Sequence, residues 1–173
     1  MNSWIKFFKQ STIIKIYKQY PQPIYSYKIL LLDGECSFFI RLSNTINLYE
    51  LENLCSLVGW VRRPTQKVKR ALDNSFLNLT LYLEHNQNKK LIGFVRAISD
   101  SAFNATIWDM VIHPEYQNQG LGTILMRKII QELRYLEIDT VTLFADTKNV
   151  KFYNKLGFIA DPRDIKGMFW YPQ

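Results

Sequence analysis

The residues Gln117-Asn118-Gln119-Gly120-Leu121-Gly122 decide the fold of this chain, because an apolar strand pattern gives way there to an amphipathic helix pattern. Residues 105–112 are predicted as a strand, and a helix is predicted to begin near Gly120. Glycine at 120 and 122 permits unusual φ angles and a close approach of an anion to the backbone N–H groups. Because the first N–H groups of a helix lack intrahelical partners, the turn predicts a pyrophosphate site; an ordinary tight turn is the alternative.

Two common nucleotide motifs do not fit this turn. It lacks the third glycine of the dinucleotide fingerprint, and no lysine follows Gly122 as in an ATP-type phosphate loop. It does match Gln/Arg-x-x-Gly-x-Gly/Ala, with Gln117, Gly120 and Gly122 at the defining positions, and in this the chain resembles the GCN5-related N-acetyltransferases. Residues 108–116 resemble the family's fourth strand and the proline turn after it, and residues 149–158 resemble its Phe-Tyr-x-x-Leu-Gly-Phe segment. Two matching segments in the right order are far more specific than either one.

The resemblance covers residues 37–171 and implies the α/β (α+β) fold of that family, a mixed, mostly antiparallel sheet splayed at its middle with helices on both faces. One N-acetyltransferase domain is predicted over residues 24–173, and the lysine-rich composition of the first residues predicts a basic leader over residues 1–23. The resemblance also implies direct acetyl transfer from acetyl-CoA, as co-substrate and without a metal, to a primary amine. A catalytically silent acyl-CoA sensor or interaction module with the same fold is the alternative hypothesis.

The resemblance assigns acetyl-CoA to three segments of the chain. Backbone groups just before the proline turn would hold the pantetheine arm, the glycine turn would hold the pyrophosphate, and a residue four positions before the family's tyrosine would touch the cofactor. The residues at these positions are Met110, Val111 and Ile112, then Asn118, Gln119, Gly120, Leu121, Gly122 and Thr123, and finally Asn149.

Tyr153 is the predicted general acid, because its phenol, in the family's position beside the thioester sulfur, can protonate the departing thiolate; a packed aromatic is the alternative. A strand amide near Val111 is predicted to polarise the carbonyl. Asp109 is the candidate general base, with a structural or loop-orienting role left open. Trp108 occupies the position where many relatives carry the acid, and Asp109 points to the opposite face unless a bulge changes the phase. His113 is predicted as a turn residue, and a water chain could also remove the proton.

The segment after the first predicted helix is a candidate acceptor site. In the family this loop forms part of the acceptor wall, and here it holds Trp60, Arg62 and Arg63; a buried aromatic beside solvated charges is the alternative. Residues 58–72 resemble plant chloroplast acetyltransferases of the serotonin and lysine type and hypothetical acetyltransferases of red-algal plastids. Residues 146–158 resemble glucosamine-6-phosphate N-acetyltransferases. The acceptor therefore stays open among an arylalkylamine, an amino-sugar phosphate, and a protein lysine or N-terminus.

Composition bounds the other functions. The chain has 173 residues, of which 47% are hydrophobic and 21% charged, and this suits one globular domain. The net charge of +7 suits an acidic ligand such as coenzyme A and leaves nucleic acid as a minor alternative. No run approaches the roughly 20 apolar residues of a membrane span, so no membrane partner is predicted. A homodimer is left open as the oligomeric state.

The cysteines and the first residues bear on the compartment. Cys36 and Cys55 stand apart without metal-ligand spacing, which favours reduced, packed thiols. The first 32 residues hold five lysines and no acidic residue, and they are rich in Ile, Tyr and Lys rather than in the Ser and Arg of a transit peptide. Frequent Lys, Asn and Ile are typical of an AT-rich genome such as a plastid's, which predicts the plastid or chloroplast stroma, and otherwise the cytoplasm.

The remaining pattern predicts alternating strands and helices. We expect residues 43–45 to cap the first helix, Lys128 to face solvent, and residues 140–145 to lie in the sheet interior. The predicted strands are residues 25–32, 37–42, 76–83, 91–98, 105–112, 140–145, 158–160 and 168–171; the predicted helices are about residues 48–58, 64–75, 120–136 and 149–155.

Overall fold

A computed structural model describes residues 24–31, 34–43, 45–85, 88–160 and 167–171, with side chains from residue 38 onward. The described chain forms one sheet and four helices. The strands are β1 (Ile24–Leu31), β2 (Gly34–Leu42), β3 (Leu77–His85), β4 (Asn88–Ser99), β5 (Asn104–Ile112) and β6 (Thr140–Leu143). The helices are α1 (Leu48–Leu57), α2 (Thr65–Asp73), α3 (Leu121–Tyr135) and α4 (Val150–Asn154), with 3₁₀ turns at Pro114–Tyr116 and Thr147–Asn149.

The strands follow one another across the sheet in chain order. The first five are antiparallel to their neighbours, whereas β5 and β6 are parallel because α3 crosses between them. This confirms the mixed, mostly antiparallel sheet. Strand β6 pairs with β5 only from Asn104 to Ile107, although β5 continues to Ile112. The two strands therefore part halfway along β5, as the splayed sheet of the resemblance predicts.

Helices cover both faces of the sheet, as predicted. On one face, α3 packs on β2 to β5 through side chains without exposed surface, which include Leu125, Met126, Ile129 and Leu133. On the other face, α1 and α2 bury Leu51, Leu54 and Leu72 against Phe94 of β4 and Val111 of β5. Burial of one such side chain stabilises the fold by about 1.5–3 kcal/mol, so two apolar layers hold the sheet between them.

Helix α1 begins later than the predicted cap. Its N-cap is Asn47, whose side-chain oxygen accepts hydrogen bonds from two backbone N–H groups of the first turn at 3.0 and 3.3 Å. The hydroxyl of Ser43 accepts instead from the N–H of Thr45 at 3.1 Å, forming a local turn. The prediction that residues 43–45 cap the helix was wrong, because Ser, Thr and Asn all make such local bonds and their order along the chain does not rank them.

Helix α3 buries one lysine that we expected to face solvent. Lys128 is only 6% exposed, and its Nζ lies 3.0 Å from Oε1 of Glu132 and 3.1 Å from Oε1 of Gln131. The long apolar stem can pack against the sheet while the carboxylate one turn later neutralises the ammonium group. That prediction was wrong because helical periodicity assigns a residue to a helix face but carries no information about the ion pair that makes burial of a lysine tolerable.

The sheet ends differently from the prediction. Residues 158–160 and 167–171 form no strand, and β6 is an edge strand of the described sheet with alternating exposure rather than an interior strand. The backbone N–H of Phe158 donates to the carbonyl of Tyr153 at 3.2 Å, so it closes the end of α4 and does not join a ladder. These segments are apolar, as the sequence indicates, but the sequence did not identify which elements they pair or pack with.

Cys55 is free and buried, which confirms the packed thiol at that position. Burial raises the pKa of the Cys55 thiol, and the neighbouring Arg63 opposes that rise. The Cys36 side chain and the predicted leader over residues 1–23 lie outside the described residues.

Candidate active site

A β-bulge in β5 sets the direction of Asp109. The pairing of β4 with β5 shifts register between Phe94 and Arg96, and Asp109 sits opposite this shift with a left-handed φ of 53°. Ile107 and Ile112 both pack in the cluster under α3, although five positions separate them and a regular strand would turn them to opposite faces. The bulge, which was one possibility from the sequence, is therefore present. It turns Asp109 toward the face of the sheet that α1 and α2 cover.

Asp109 is held between two arginines. Arg96 donates from Nε to Oδ2 of Asp109 at 2.6 Å, and Arg63 donates from Nη1 to Oδ1 at 3.1 Å. The side chains of Arg96 and Asp109 are 13% and 14% exposed, so this pair is shielded from water. A second Arg96 nitrogen donates to the Ser75 hydroxyl at 3.4 Å. Because both carboxylate oxygens accept from guanidinium groups, the geometry favours the loop-orienting role of Asp109 over that of a general base.

The edge of β5 that faces away from β4 is open from residue 108 to residue 112 of the described sheet. The N–H of His113 donates to the carbonyl of Ile92 in β4 at 2.8 Å, so strand alternation directs the N–H and C=O of Ile112 away from β4. The side-chain amide of Gln117 donates to the Ile112 carbonyl at 2.9 Å. The motif glutamine thus ties the glycine turn to this edge, and the Ile112 N–H points into the opening.

The glycine turn begins α3 directly beside that edge. Gly120 is the N-cap with a φ of 82°, and its carbonyl accepts the first intrahelical bond, from Ile124 N–H, at 3.1 Å. The N–H groups that precede Ile124 in the turn lack intrahelical partners. A Cβ on Gly122 would lie 3.4 Å from Cε of Met110 and 3.6 Å from Cζ of Phe152. Position 122 is therefore where α3, β5 and α4 meet.

Tyr153 follows Phe152 on α4 and is half-buried. Its ring lies edge-on to Phe152, with centroids 5.0 Å apart, and edge-on to Phe158 at 6.1 Å. Burial, and then the charge of Asp146, raises the pKa of the Tyr153 phenol above its ordinary value of 10.0. Tyr153 thus keeps its proton at neutral pH. Asn149, the other predicted residue of this segment, is exposed in the 3₁₀ turn that leads into α4.

The predicted acceptor residues separate into two groups. Trp60 and Arg62 line a small cavity of about 20 Å³ beside α1, and Arg62 pairs with Glu52 of that helix. Arg63 also lines a larger cavity of about 370 Å³ under α2, and its guanidinium lies 6.0 Å from the Trp60 ring centre. The structure thus brings Arg63 to Asp109 and leaves Arg62 on the outer side of the loop.

Two residues of the larger cavity were missing from the sequence-based site. Arg96 comes from the middle of β4, where nothing in the local pattern marks it as the partner of a bulge 13 positions later. Lys67 lies in the first turn of α2, four positions after Arg63, and only that short separation could have indicated it.

Two kinds of feature are absent from the described ranges. They contain no group of three or more His, Cys, Asp or Glu side chains arranged to hold a metal ion. None of the helices described there has the length and apolar character that would take it across a bilayer.

Comparisons with known proteins identify the family of this chain. The Acetyltransferase (GNAT) family matches residues 45–158. The "Uncharacterized N-acetyltransferase ycf52" of Gracilaria tenuistipitata var. liui is 51% identical over 99% of both chains. "GCN5-related N-acetyltransferase 2, chloroplastic" of Arabidopsis thaliana is 49% identical over 74% of this chain and 56% of its own length. The chain therefore belongs to the GNAT acetyltransferase family and is an N-acetyltransferase.

A solved structure supports the same fold. A GNAT-family acetyltransferase of Streptococcus pneumoniae TIGR4 superposes with a TM-score of 0.66 at 26% identity, over 79% of this chain and 98% of that chain. The family uses acetyl-CoA as its co-substrate.

Proposed function

We propose that this chain transfers an acetyl group directly from acetyl-CoA to the primary amine of an acceptor that enters between the α1–α2 loop and the open edge of β5. The observation that carries the proposal is the meeting of three elements at Gly122, where the first turn of α3, the unpaired part of β5 and the start of α4 lie within van der Waals contact. Each of these elements carries one segment of the family signature.

The residues present fit acetyl-CoA, which supplies an activated acetyl thioester when bound. The pantetheine arm would lie along the open edge, held by Met110, Val111 and Ile112. The backbone N–H of Ile112 points into this opening, and a nearby strand amide can polarise the thioester carbonyl. The turn residues would donate N–H groups to the pyrophosphate, with Asn149 at the side; these are Asn118, Gln119, Gly120, Leu121, Gly122 and Thr123.

Proton handling is divided between Tyr153 and the surroundings of the amine. Tyr153 would donate its phenolic proton to the departing thiolate, and its raised pKa keeps that proton available at neutral pH. Asp109 would orient Arg63 and the bulge, and so position the acceptor against the thioester. The proton of the acceptor amine then leaves through water to solvent.

The acceptor class follows from the relatives only as a set of candidates. One relative 51% identical over 73% of this chain is named a histone acetyltransferase, from Glycine max, and a structural neighbour from Arabidopsis thaliana acts on glucosamine-6-phosphate. These names suggest a protein lysine or N-terminus and an amino-sugar phosphate, and the resemblance of residues 58–72 adds an arylalkylamine to the acceptors to compare. We propose the plastid stroma as the location of the enzyme, following the chloroplastic relative. We also propose that residues 24–173 form one domain behind a basic leader.

The test is a screen of the purified protein with acetyl-CoA and a panel of these three amine classes, following the release of free CoA. Amine-dependent CoA release, absent from a Tyr153→Phe control, supports the proposal. Saturable binding of acetyl-CoA without release by any amine would identify the catalytically silent sensor or interaction module instead.

The acceptor route has its own prediction at Trp60. Trp60 is 37% exposed and stacks near Arg63 in the loop, so its removal opens the acceptor entrance. Trp60→Ala should raise the acceptor KM more than the acetyl-CoA KM in steady-state assays. A lowered melting temperature with an unchanged acceptor KM would instead identify Trp60 as a packing residue.

A further inference from the structure

The geometry points to an acceptor that carries a carboxylate or phosphate group besides its primary amine, with the anionic group bound in the cavity between α2 and the sheet. This inference rests on the proposed function, since it narrows the class of amine that the same site would take.

The cavity has the size and lining of a small-molecule site. Its volume is about 370 Å³, within the range of roughly 300–1,000 Å³ that ligand pockets occupy. Most of its wall is apolar, and four charged groups interrupt it. The apolar residues are Leu51, Pro64, Val68, Ala71, Leu72 and Phe94. The apolar side chains can pack against the carbon skeleton of a ligand, while the charged groups select the charge of its end groups.

The charges in the wall do not balance. Arg63, Lys67 and Arg96 line the cavity with one carboxylate, Asp109, which leaves two positive charges in excess. Asp109 takes one hydrogen bond from each arginine, and Arg63 also hydrogen-bonds with the Cys55 side chain, so part of its five N–H donors remains for another acceptor. Within the described ranges Lys67 forms no ion pair. A guanidinium and an ammonium around a partly apolar cavity favour a carboxylate or a phosphate.

Three other lysines near this part of the described surface are paired with carboxylates. Lys69, two residues after Lys67 on the same helix, pairs with Asp73 at 2.7 Å. Lys89 and Lys90 lie 3.7 Å from Glu84 and Glu115, respectively. Lys67 thus differs from Lys69 of the same helix, because it has no carboxylate partner within the described ranges.

The cavity reaches the reacting region through Asp109. This residue lines the cavity and also lies in the unpaired part of β5, so a ligand held there has one end beside the open edge. Nearby positive charges disfavour a protonated amine, which helps to supply the neutral nucleophile that acetyl transfer needs. The anionic group would thus anchor the acceptor at Lys67 and Arg63 while its amine points toward the bulge.

Three linear five-carbon amines test the inference with the full-length protein. Pentylamine, 5-aminopentanoate and cadaverine end in a neutral, an anionic and a cationic group, respectively. We expect kcat/KM for 5-aminopentanoate to exceed that for pentylamine about tenfold, with cadaverine lowest, and the preference to shrink with added salt. Phosphoethanolamine against ethanolamine then shows whether a phosphate serves as well as a carboxylate.

Lys67→Gln should reduce the preference for 5-aminopentanoate over pentylamine about fivefold, whereas Lys69→Gln, the matched control on α2, should keep it. Equal rates for the three amines, a preference for cadaverine, or equal effects of the two substitutions would overturn the inference. Acetylation of a lysine peptide with none of the small amines would overturn it as well and leave the proposed function standing. No CoA release with the small amines or the peptide would contradict the proposed function itself.

Discussion

The ring of Tyr153 lies between Phe152 and Phe158, and its phenol retains a proton, as the general-acid role that we propose requires. Tyr153→Phe keeps the ring contacts and removes only the hydroxyl. General acid catalysis contributes about 10²- to 10⁴-fold, so we expect kcat to fall by that order with little change in the acetyl-CoA Kd. Single-turnover kinetics should measure this, because slow product release could hide the chemical step.

Tyr135→Phe, at the exposed end of α3, is the matched control and should turn over normally. If Tyr153→Phe reaches the wild-type chemical rate, solvent is the proton source. Since the pKa of Tyr153 is raised above 10.0, the wild-type rate should not lose this acid as pH rises toward that value.

His113 connects the end of β5 to the proline turn and makes stability depend on pH. It is 6% exposed, and its Nδ1 accepts the N–H of Glu115 at 3.3 Å, which requires the neutral ring. Burial, and then Lys90, lowers the pKa of His113 below its ordinary value of 6.5. The unfolded chain therefore binds more protons near and just below pH 6.5, so the free energy of unfolding should fall as pH decreases through this window.

Urea denaturation at about pH 7.5 and about pH 5.5 measures this dependence. His113→Asn keeps a capping acceptor without a titrating ring and should show less loss of stability between the two values. His85→Asn replaces the other histidine, which is exposed, and should keep the wild-type dependence. Equal dependence in wild type and His113→Asn would assign the effect to other groups.

At the scale of elements, the start of α3 and the end of α1 use the same backbone conformation for different purposes. Gly120 and Gly59 have φ angles of 82° and 80°, and a Cβ at either position would meet no atom within 4 Å. Valine at either position should therefore cost about 1–2 kcal/mol through backbone strain alone.

Gly120→Val and Gly59→Val thus form a matched pair. We expect similar losses of stability, but only Gly120→Val should weaken acetyl-CoA binding, by about tenfold or more, since it displaces N–H donors of a charged ligand. Isothermal calorimetry on the folded variants measures the affinities. Wild-type affinity in Gly120→Val, or equal losses in both variants, would place the pyrophosphate elsewhere.

At the scale of the whole molecule, one ionic network joins the helical layer to the sheet. Arg96 of β4 and Arg63 of the α1–α2 loop meet at Asp109 of β5, so this loop and the bulge share one support. Asp109→Asn tolerates the left-handed φ and removes only the charge. We expect a loss of about 2 kcal/mol in unfolding free energy, because Arg96 is left nearly buried without a carboxylate.

Asp73→Asn is the control, because it removes a carboxylate from the exposed Lys69 pair and should cost at most about 0.5 kcal/mol. If Asp109 positions the acceptor, Asp109→Asn should raise the acceptor KM and keep the shape of the pH–rate profile. Loss of the basic limb of that profile, with normal stability, would restore Asp109 as the general base.

The order and type of most elements could be predicted, since each depends on local periodicity and turn residues. The hairpin of β3 and β4, the helix after the glycine turn and the ends of α1 at Gly59 and α4 at Gly157 fall in this group. The errors have a shared cause. Residues 158–160 and 168–171 need a strand partner, and Lys128 needs Glu132 to be buried, so their states depend on neighbours that local pattern does not rank.

The sequence by itself determined the family and marked the glycine turn and Tyr153 as candidates, because the family signature requires particular residues at short spacing. Only the tertiary structure decided the direction of Asp109, the contribution of Arg96 and the unbalanced charge around Lys67. A bulge changes the phase of a strand by one residue, and it brings together side chains from β4, β5 and the α1–α2 loop that lie 13 and 46 positions from Asp109. Such a site depends on register and packing, and these are properties of the assembled sheet.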